Sequence, residues 1–212
     1  MIRYIYADAL DTFPVLKSGM FQDRRRQFKE RQGWEVSVDA NGEERDSYDM
    51  LNPLYVIHDH SGQHAGSMRF LPTIGQTMVN DHFTYLTDGV HISSPLIWEC
   101  TRFCISPDAD NAGKTAARLM LAGCEMGLRF GLEHSVGVFD ARMVRIYRRI
   151  GWSPEIIGSA GTGRAEISVG LWEYSGAKKQ ELCAKFAIPA PAVENWFDAS
   201  FPDTATETSV AA

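Results

Sequence analysis

The sequence predicts an α/β fold, a single-domain three-layer αβα sandwich built around a mixed sheet. Helix and strand patterns occur in the order helix, strands, helix, strand, helix, strand. The 212 residues are enough for one domain with a sizeable core and too few for two. Residues 96–105 are rich in aromatic and β-branched side chains and lie between Pro95 and Pro107, which is typical of a buried central strand.

Composition limits the classes of function. A net charge of -6 argues against a protein that coats nucleic acid. No stretch has the length and apolar character of a signal peptide or a membrane span, so we expect a cytoplasmic protein with no membrane partner. The four cysteines lack the spacing of a zinc site, and we expect reduced thiols and no metal.

The N-terminal half is predicted to contain the first helix and a hairpin. Pro14 lies in the first turn of the helix and Gly33 ends it. Strands are predicted at residues 2–6, 34–38, 53–59 and 65–71, a polar loop at 41–49, and irregular chain at 73–89.

The C-terminal half follows the central strand. A long helix runs from about residue 111 to 130, and Asp140 caps the next helix, which ends at Gly151. The remaining predicted elements are strands at 135–139 and 167–174 and a helix at 176–187. We place the folded domain at residues 1–197 and expect a disordered tail at 198–212, because that tail is polar and of low complexity.

Several charges occupy positions where a core residue is expected. Glu99 and Arg102 lie inside the central strand, and Arg69 lies in an apolar strand upstream. Arg24 shares a helical stripe with Met20 and other apolar residues. Burial of such groups costs free energy unless they are paired. They indicate either a functional cluster or, less informatively, an internal ion pair and an arginine that extends to the rim.

Other polar features are weaker taken singly. Asp46 and Asp49 would ordinarily mark a solvated turn, but they are candidate partners for Arg24. Gly113 and Lys114 begin the long helix, where an anion could bind. A basic face on the helix after Asp140 is either solvated or a docking patch for an acidic protein; its residues are Arg142, Arg145, Arg148 and Arg149.

Five short blocks between residues 2 and 175 carry a family resemblance. They are Arg24-x-x-x-Phe28 leading to Gly33-Trp34, then Asp46-x-Tyr48-Asp49, Ser67-Met-Arg69-Phe-Leu-Pro-Thr73, Trp98-Glu99-x-x-Arg102-Phe103 and Arg149-Ile-Gly151-Trp152. Together they resemble the signature of the acyl-homoserine-lactone synthases, the autoinducer synthases of bacterial quorum sensing. Any one block alone would be a weak signal.

The resemblance implies a fold similar to the Gcn5-related N-acetyltransferases, with a V-shaped split in the sheet. It also implies two substrates and no cofactor. These substrates are S-adenosylmethionine and an acyl thioester carried by acyl carrier protein or coenzyme A. The amine of S-adenosylmethionine attacks the acyl carbonyl, its carboxylate then closes the lactone, and methylthioadenosine leaves.

The resemblance also assigns roles to the misplaced charges. Glu99 is the candidate base, acting through a water, and Arg102 belongs to the electrostatic network. Because an odd spacing puts two strand residues on opposite faces, we predict a β-bulge between them. The predicted S-adenosylmethionine residues, which we expect to order on binding, are Arg24, Phe28, Trp34, Asp46, Asp49, Arg69 and Phe83.

Acyl specificity and the acyl carrier are less constrained. Phe139 stands where members that make 3-oxo products often have Thr, which argues against a 3-oxo chain. Core packing is the ordinary role for the other predicted acyl-pocket walls, Phe103, Met126, Met143 and Tyr147. The predicted carrier and pantetheine residues are Gly113, Lys114, Arg118, Arg145 and Arg149.

Two other functions fit parts of the pattern. One is an N-acyltransferase of the same fold that uses acyl-coenzyme A on a different amine. The other is a non-catalytic binding module. Release of methylthioadenosine is expected only of the synthase.

Overall fold

A seven-stranded mixed sheet forms the centre of the computed structural model, which describes residues 1–202. The strand order is β1-β2-β3-β4-β5-β7-β6, and β4 and β5 are the parallel pair. The strands are β1 (Ile2–Tyr6), β2 (Leu54–His60), β3 (Gln63–Pro72), β4 (Ile97–Ile105), β5 (His134–Asp140), β6 (Glu155–Ala160) and β7 (Ile167–Glu173).

Helices cover both faces of this sheet, so the three-layer prediction is confirmed. Four helices pack through one large core on the first face, and α1 packs through a second core on the other. The helices are α1 (Pro14–Arg25), α2 (Met78–His82), α3 (Ala112–Arg129), α4 (Ala141–Ile150), α5 (Gly176–Phe186) and α6 (Ala190–Ser200). We call the side with α3 to α6 the α3 face and the side with α1 the α1 face.

The sheet opens between β4 and β5. Their ladder joins Ile97–Glu99 to residues 134–136, and beyond it β4 continues to pair with β3 alone. β5 pairs instead with β7 along its whole length. The two strands therefore diverge, and the predicted V-shaped split is present.

Helix α1 continues into a π-helical turn, Arg26–Arg31, before the chain turns at Gly33 with φ of 70°. This left-handed φ favours glycine and explains why the helix ends there. The predicted strand at 34–38 is wrong: these residues form a loop, and their one β-bridge within residues 1–202, between Val38 and Glu44, joins them to the 41–49 loop and not to the sheet. The apolar residues at 34–38 have no partner strand to pair with in the described part of the chain, so their β-propensity alone does not make them a strand.

Three elements were not anticipated: α2, β6 and α6. β6 is a largely exposed edge strand, so its apolar alternation is weak. α6 has proline in its first turn and buries Val193 and Phe197. It ends at Ser200, so the folded domain extends past the predicted boundary at 197, and residues 203–212 lie outside the described part. No helix within residues 1–202 is both long and apolar enough to span a membrane.

Candidate active site

Strand β4 carries a bulge at Arg102. Thr101 pairs with Arg69 and Cys104 pairs with Ser67, so β4 uses one residue more than β3 over this interval. Arg102 has φ of 54°, a left-handed conformation that is uncommon outside glycine. The predicted bulge is therefore present, centred on Arg102 itself and not between Glu99 and Arg102.

The bulge sets which side chains share a face. Glu99 bonds the backbone of α2, and Arg102 bonds Glu44, so both lie on the α1 face. Phe103 packs against the core of the α3 face. A regular strand would have turned Arg102 to that apolar side, so the extra residue keeps its guanidinium among polar groups.

Arg24 lies at the centre of a buried ionic network. Its Nε donates to Glu44 at 2.5 Å, and its two terminal nitrogens donate to the two Asp49 oxygens at 2.9 Å each. The side chain is 1% exposed. Arg24 therefore does not extend to the rim; it binds two carboxylates.

Arg69 and Arg102 complete this network. Arg69 donates to Asp49 at 2.8 Å and also to Asp46. Arg102 reaches Glu44 at 3.0 Å and Asp46 at 2.8 Å. Each guanidinium is thus shared between two carboxylates, and the network links the first helix, the 41–49 loop, β3 and β4.

The network contains three guanidiniums and three carboxylates, so its formal charge is zero. Burial would raise the pKa of Asp49, but the Arg24 and Arg69 guanidiniums hold that pKa well below its usual range. The Tyr55 hydroxyl donates to Asp49 at 2.7 Å. Because every charge is matched, the cluster can remain ionised away from water.

Sequence reasoning missed Glu44 and Tyr55. Glu44 lies in a polar loop between Glu43 and Arg45, and its charge was not unusual there. Its backbone N–H donates to the Phe21 carbonyl at 3.0 Å, which draws the loop against α1 and buries it. The number of charges carried a signal. Three arginines at core positions need three carboxylate partners, and Asp46 and Asp49 supply only two.

Glu99 lies next to this network with different partners. Its oxygens accept hydrogen bonds from the backbone N–H groups of Met78 at 3.0 Å and Val79 at 2.6 Å. Burial raises the pKa of Glu99 to about 7, although these two hydrogen bonds oppose the shift. Glu99 can therefore gain or lose a proton near neutral pH.

A cavity of about 520 Å³ passes through the opening between β4 and β5. On the α1 face its wall includes Phe28, Trp34 and Glu99; on the α3 face it includes Phe70 and Phe139. Because residues from both faces line the same space, the two sides of the sheet communicate through the split.

The α1-face end of the cavity has an aromatic mouth. The Trp34 ring stacks on Phe28 with centroids 5.2 Å apart and 8° between planes, and Trp34 is 44% exposed. The Arg102 guanidinium lies 5.4 Å from the Phe28 centroid. Phe83 also lines this space, whereas Arg24, Asp46, Asp49 and Arg69 lie behind the wall, in the buried network.

The α3-face end is apolar. Phe139, Tyr147 and Trp172 meet edge to face, with centroids 4.9 to 5.5 Å apart. Phe103 and Met143 also line the cavity as predicted. Met126 does not: it is fully buried in the core, and the α3 residues on the wall are Met120 and Gly123, two turns and one turn nearer the start of the helix.

The predicted carrier residues lie outside the cavity wall. Gly113 and Lys114 are exposed at the start of α3. Arg118 does not face this space, because its guanidinium lies 2.8 Å from Nε2 of His58 on β2. Arg145 and Arg149 are exposed on the outer side of α4.

Comparisons with known proteins relate the chain to one family. The sequence model of the family described as autoinducer synthase matches residues 14–180. An acyl-homoserine-lactone synthase from Rhizobium etli is 37% identical over 193 residues, which is 88% of this chain and 91% of that one.

Solved structures have the same fold. The CoA-dependent acyl-homoserine lactone synthase BjaI, with SAM and isopentyl-CoA, superposes with a TM-score of 0.80 at 22% identity over 93% of this chain and 98% of that one. An acyl-CoA N-acyltransferase from Pseudomonas aeruginosa superposes with a TM-score of 0.55 at 15% identity, over 80% of this chain and 97% of that one. The chain belongs to the autoinducer synthase family, the acyltransferases that make acyl-homoserine lactones.

Proposed function

We propose that this enzyme acylates the amine of S-adenosylmethionine from an acyl thioester and then forms the lactone with release of methylthioadenosine. The observation that carries the proposal is the cavity through the sheet. It joins a polar, aromatic compartment beside Glu99 to an apolar compartment on the α3 face. Two chemically different substrates can therefore meet at the opening.

S-adenosylmethionine suits the α1-face compartment. Its adenine ring and sulfonium can contact the Phe28 and Trp34 rings, and its carboxylate can pair with Arg102. Met78 and Phe83 supply the remaining wall. We therefore reassign the four residues behind the wall to positioning: Arg24, Asp46, Asp49 and Arg69 hold Arg102 and the 41–49 loop in place.

Acyl transfer requires that the amine first lose a proton. We assign that step to Glu99, acting through a water, because a carboxylate with a pKa of about 7 accepts a proton near neutral pH. The nitrogen then attacks the thioester carbonyl, the carbon–sulfur bond of the thioester breaks, and the second nitrogen proton passes to the departing thiolate, which leaves as the thiol. Backbone N–H groups of β4 around the bulge are the proposed donors to the oxyanion.

Lactone formation needs no further partner. The substrate carboxylate attacks its own γ-carbon, the carbon–sulfur bond breaks, and neutral methylthioadenosine departs with the electron pair. Both S-adenosylmethionine and the thioester are consumed as substrates in this scheme. Arg102 would hold the carboxylate until acylation is complete.

The apolar compartment is assigned to the acyl chain. Phe139 occupies its wall with an aromatic ring and no hydroxyl, which supports a product other than a 3-oxo lactone. Acyl-coenzyme A is the donor that the fold likeness to a CoA-dependent synthase favours for a first test. The exposed arginines of α4 support acyl carrier protein as the second candidate donor.

The decisive experiment incubates the purified enzyme with S-adenosylmethionine and a panel of acyl thioesters. Methylthioadenosine and an acyl-homoserine lactone are expected in equal amounts by mass spectrometry. An N-acyltransferase that acts on another amine would release neither. Thiol release that requires a different added amine, and that gives no methylthioadenosine, would replace this proposal with that one.

A further inference from the structure

Two hydroxyl groups lie at the closed end of the opening between β4 and β5. Ser135 is on β5 opposite Trp98, in the short interval where the two strands are still paired. Tyr174 follows β7, and its backbone N–H donates to the Glu133 carbonyl at 2.9 Å. Both side chains line the cavity and both are buried, Tyr174 with 7% exposure.

The Tyr174 hydroxyl is an unsatisfied donor. It is buried, and no group in residues 1–202 forms a hydrogen bond of acceptable geometry with it. The Ser135 hydroxyl is close enough to act on the pKa of Tyr174, which burial raises well above its usual value. A buried hydroxyl in this state is costly, so a polar group from a ligand or a water would stabilise it.

The ring of Tyr174 is held in place. Gly127 on α3 packs directly against its face, because a Cβ at that position would lie 2.4 Å from the ring carbons. The Trp152 ring meets it edge to face at 5.9 Å. The hydroxyl is therefore pre-positioned and cannot turn toward solvent.

The cavity wall around these two hydroxyls is mainly apolar. Neighbouring cavity residues on this face are Phe70, Met120, Gly123, Phe139, Trp152 and Trp172. We propose that the hydroxyls of Tyr174 and Ser135 bind an oxygen substituent on the acyl chain, so that the preferred donors are hydroxy- or keto-acyl thioesters. This inference rests on the proposed function and adds the substrate class.

The hydroxyl pair is distant from Phe139, the position at which members that make 3-oxo products often have Thr. Ser135, Gly137 and Phe139 all line the cavity along β5, and four residues of strand span about 13 Å. The recognised oxygen is thus distinct from one that would bind beside Phe139.

The test uses acyl-coenzyme A donors of one chain length, unsubstituted or with a hydroxyl or keto group at successive carbons. Rates of methylthioadenosine release give kcat/KM for each donor. We expect one position of the oxygen to raise kcat/KM about tenfold over the unsubstituted chain. Comparison of the hydroxyl and keto series shows which oxygen the pair prefers.

Tyr174→Phe should reduce the ratio of kcat/KM between the oxygen-bearing and the unsubstituted donor to about one. The variant enzyme should still turn over the unsubstituted donor. Ser135→Ala is the second variant, in case Tyr174→Phe fails to fold, and should lower the ratio as well. Tyr147→Phe is the matched control, since it removes a hydroxyl elsewhere on the same wall and should retain the ratio.

The ratio compares kcat/KM for the oxygen-bearing donor with kcat/KM for the unsubstituted donor. A ratio near one in the wild type would overturn the inference, and so would variants that both keep the wild-type ratio. Either result would leave the synthase activity intact. Absence of methylthioadenosine with every donor would overturn the proposed function and this inference with it. The two failures are therefore distinguishable.

Discussion

Glu99 differs from the other buried carboxylates in the kind of partner it has. Asp49 is bound by the Arg24 and Arg69 guanidiniums, which lower its pKa. Glu99 accepts from two backbone N–H groups, and burial remains the larger effect on its pKa. A carboxylate of this kind can exchange a proton near neutral pH, whereas Asp49 stays ionised there.

Replacement of this carboxyl tests its assignment as the base. Glu99→Gln should lower kcat/KM by about 10²- to 10⁴-fold, because the proton acceptor is lost. In the wild type, kcat/KM should fall as the pH is lowered through about 7, since Glu99 becomes protonated there. Methylthioadenosine release measured against pH checks both expectations.

Glu155→Gln, at an exposed carboxylate on β6, serves as the control and should behave as wild type. A Glu99→Gln variant with near wild-type turnover would require another base.

At the scale of elements, the β4 bulge determines where the guanidinium of Arg102 lies. Both Arg102→Gly and Arg102→Ala remove that group, but only glycine adopts φ of 54° without strain. The free energy of unfolding of the glycine variant should therefore be about 1 kcal/mol higher than that of the alanine variant. Urea denaturation of the two proteins measures this difference.

Equal stabilities for the two variants would mean that β4 has become regular at this position. Both variants should be poorly active, because Glu44 and Asp46 lose a partner. Activity and stability thus report separately on the side chain and the backbone of Arg102.

Helix α4 presents its arginines away from the cavity, on a surface where a macromolecular donor could dock. Charge reversal at Arg145 and Arg149 to Glu should raise KM for an acyl carrier protein thioester about tenfold or more, with little effect on a coenzyme A thioester. Steady-state kinetics with the two donors, matched in acyl chain, provides the comparison.

Arg164→Glu is a suitable control because that exposed arginine lies in the loop before β7. An equal rise in KM for both donors would argue that the helix had lost its structure instead of a docking contact.

A contact set on α1 and β3 shows why hydrogen bonds alone do not identify a site. His64 Nδ1 lies 2.7 Å from Asp23 and its Nε2 lies 3.0 Å from Ser67, the arrangement of a hydrolytic triad. All three side chains are buried and lie outside the cavity wall. Their evident effect is to join helix α1 to strand β3.

For the whole molecule, the pKa of Glu99 contributes to stability with a definite sign. The folded state holds this proton more tightly than the unfolded chain, because the pKa rises from 4.5 to about 7. The stabilisation is complete below pH 4.5 and is lost as the pH rises to 7, a change of about 3 kcal/mol. Ionised Glu99 is therefore destabilising at the pH at which the proposed base would act.

This predicts a pH-dependent difference between wild type and Glu99→Gln. The free energy of unfolding of the variant, relative to wild type, should increase by about 3 kcal/mol from acid to mildly alkaline pH. Chemical denaturation at a series of pH values checks it. A difference that does not vary with pH would mean that Glu99 keeps an ordinary pKa.

Much of this organisation could be predicted from local sequence. Periodicity identified β1 to β5, β7 and the long helix, and the misplaced charges identified Glu99, Arg102, Arg69 and Arg24. The division between cavity wall and buried network could not be predicted, because it depends on how the 41–49 loop packs against α1. Met126 was wrongly chosen over Met120 for the same reason: helical spacing alone does not determine which face meets an opening in the sheet.

The split between β4 and β5 has a consequence for inhibition. If the two compartments bind their substrates as proposed, a molecule that joins a sulfonium amino acid to an acyl chain by a short linker would occupy both sides of the sheet at once. Linked halves of this kind bind about 10²- to 10⁴-fold more tightly than either half alone. Such a compound would also be threaded between two strands and could leave only along its own axis, so slow dissociation would accompany its affinity.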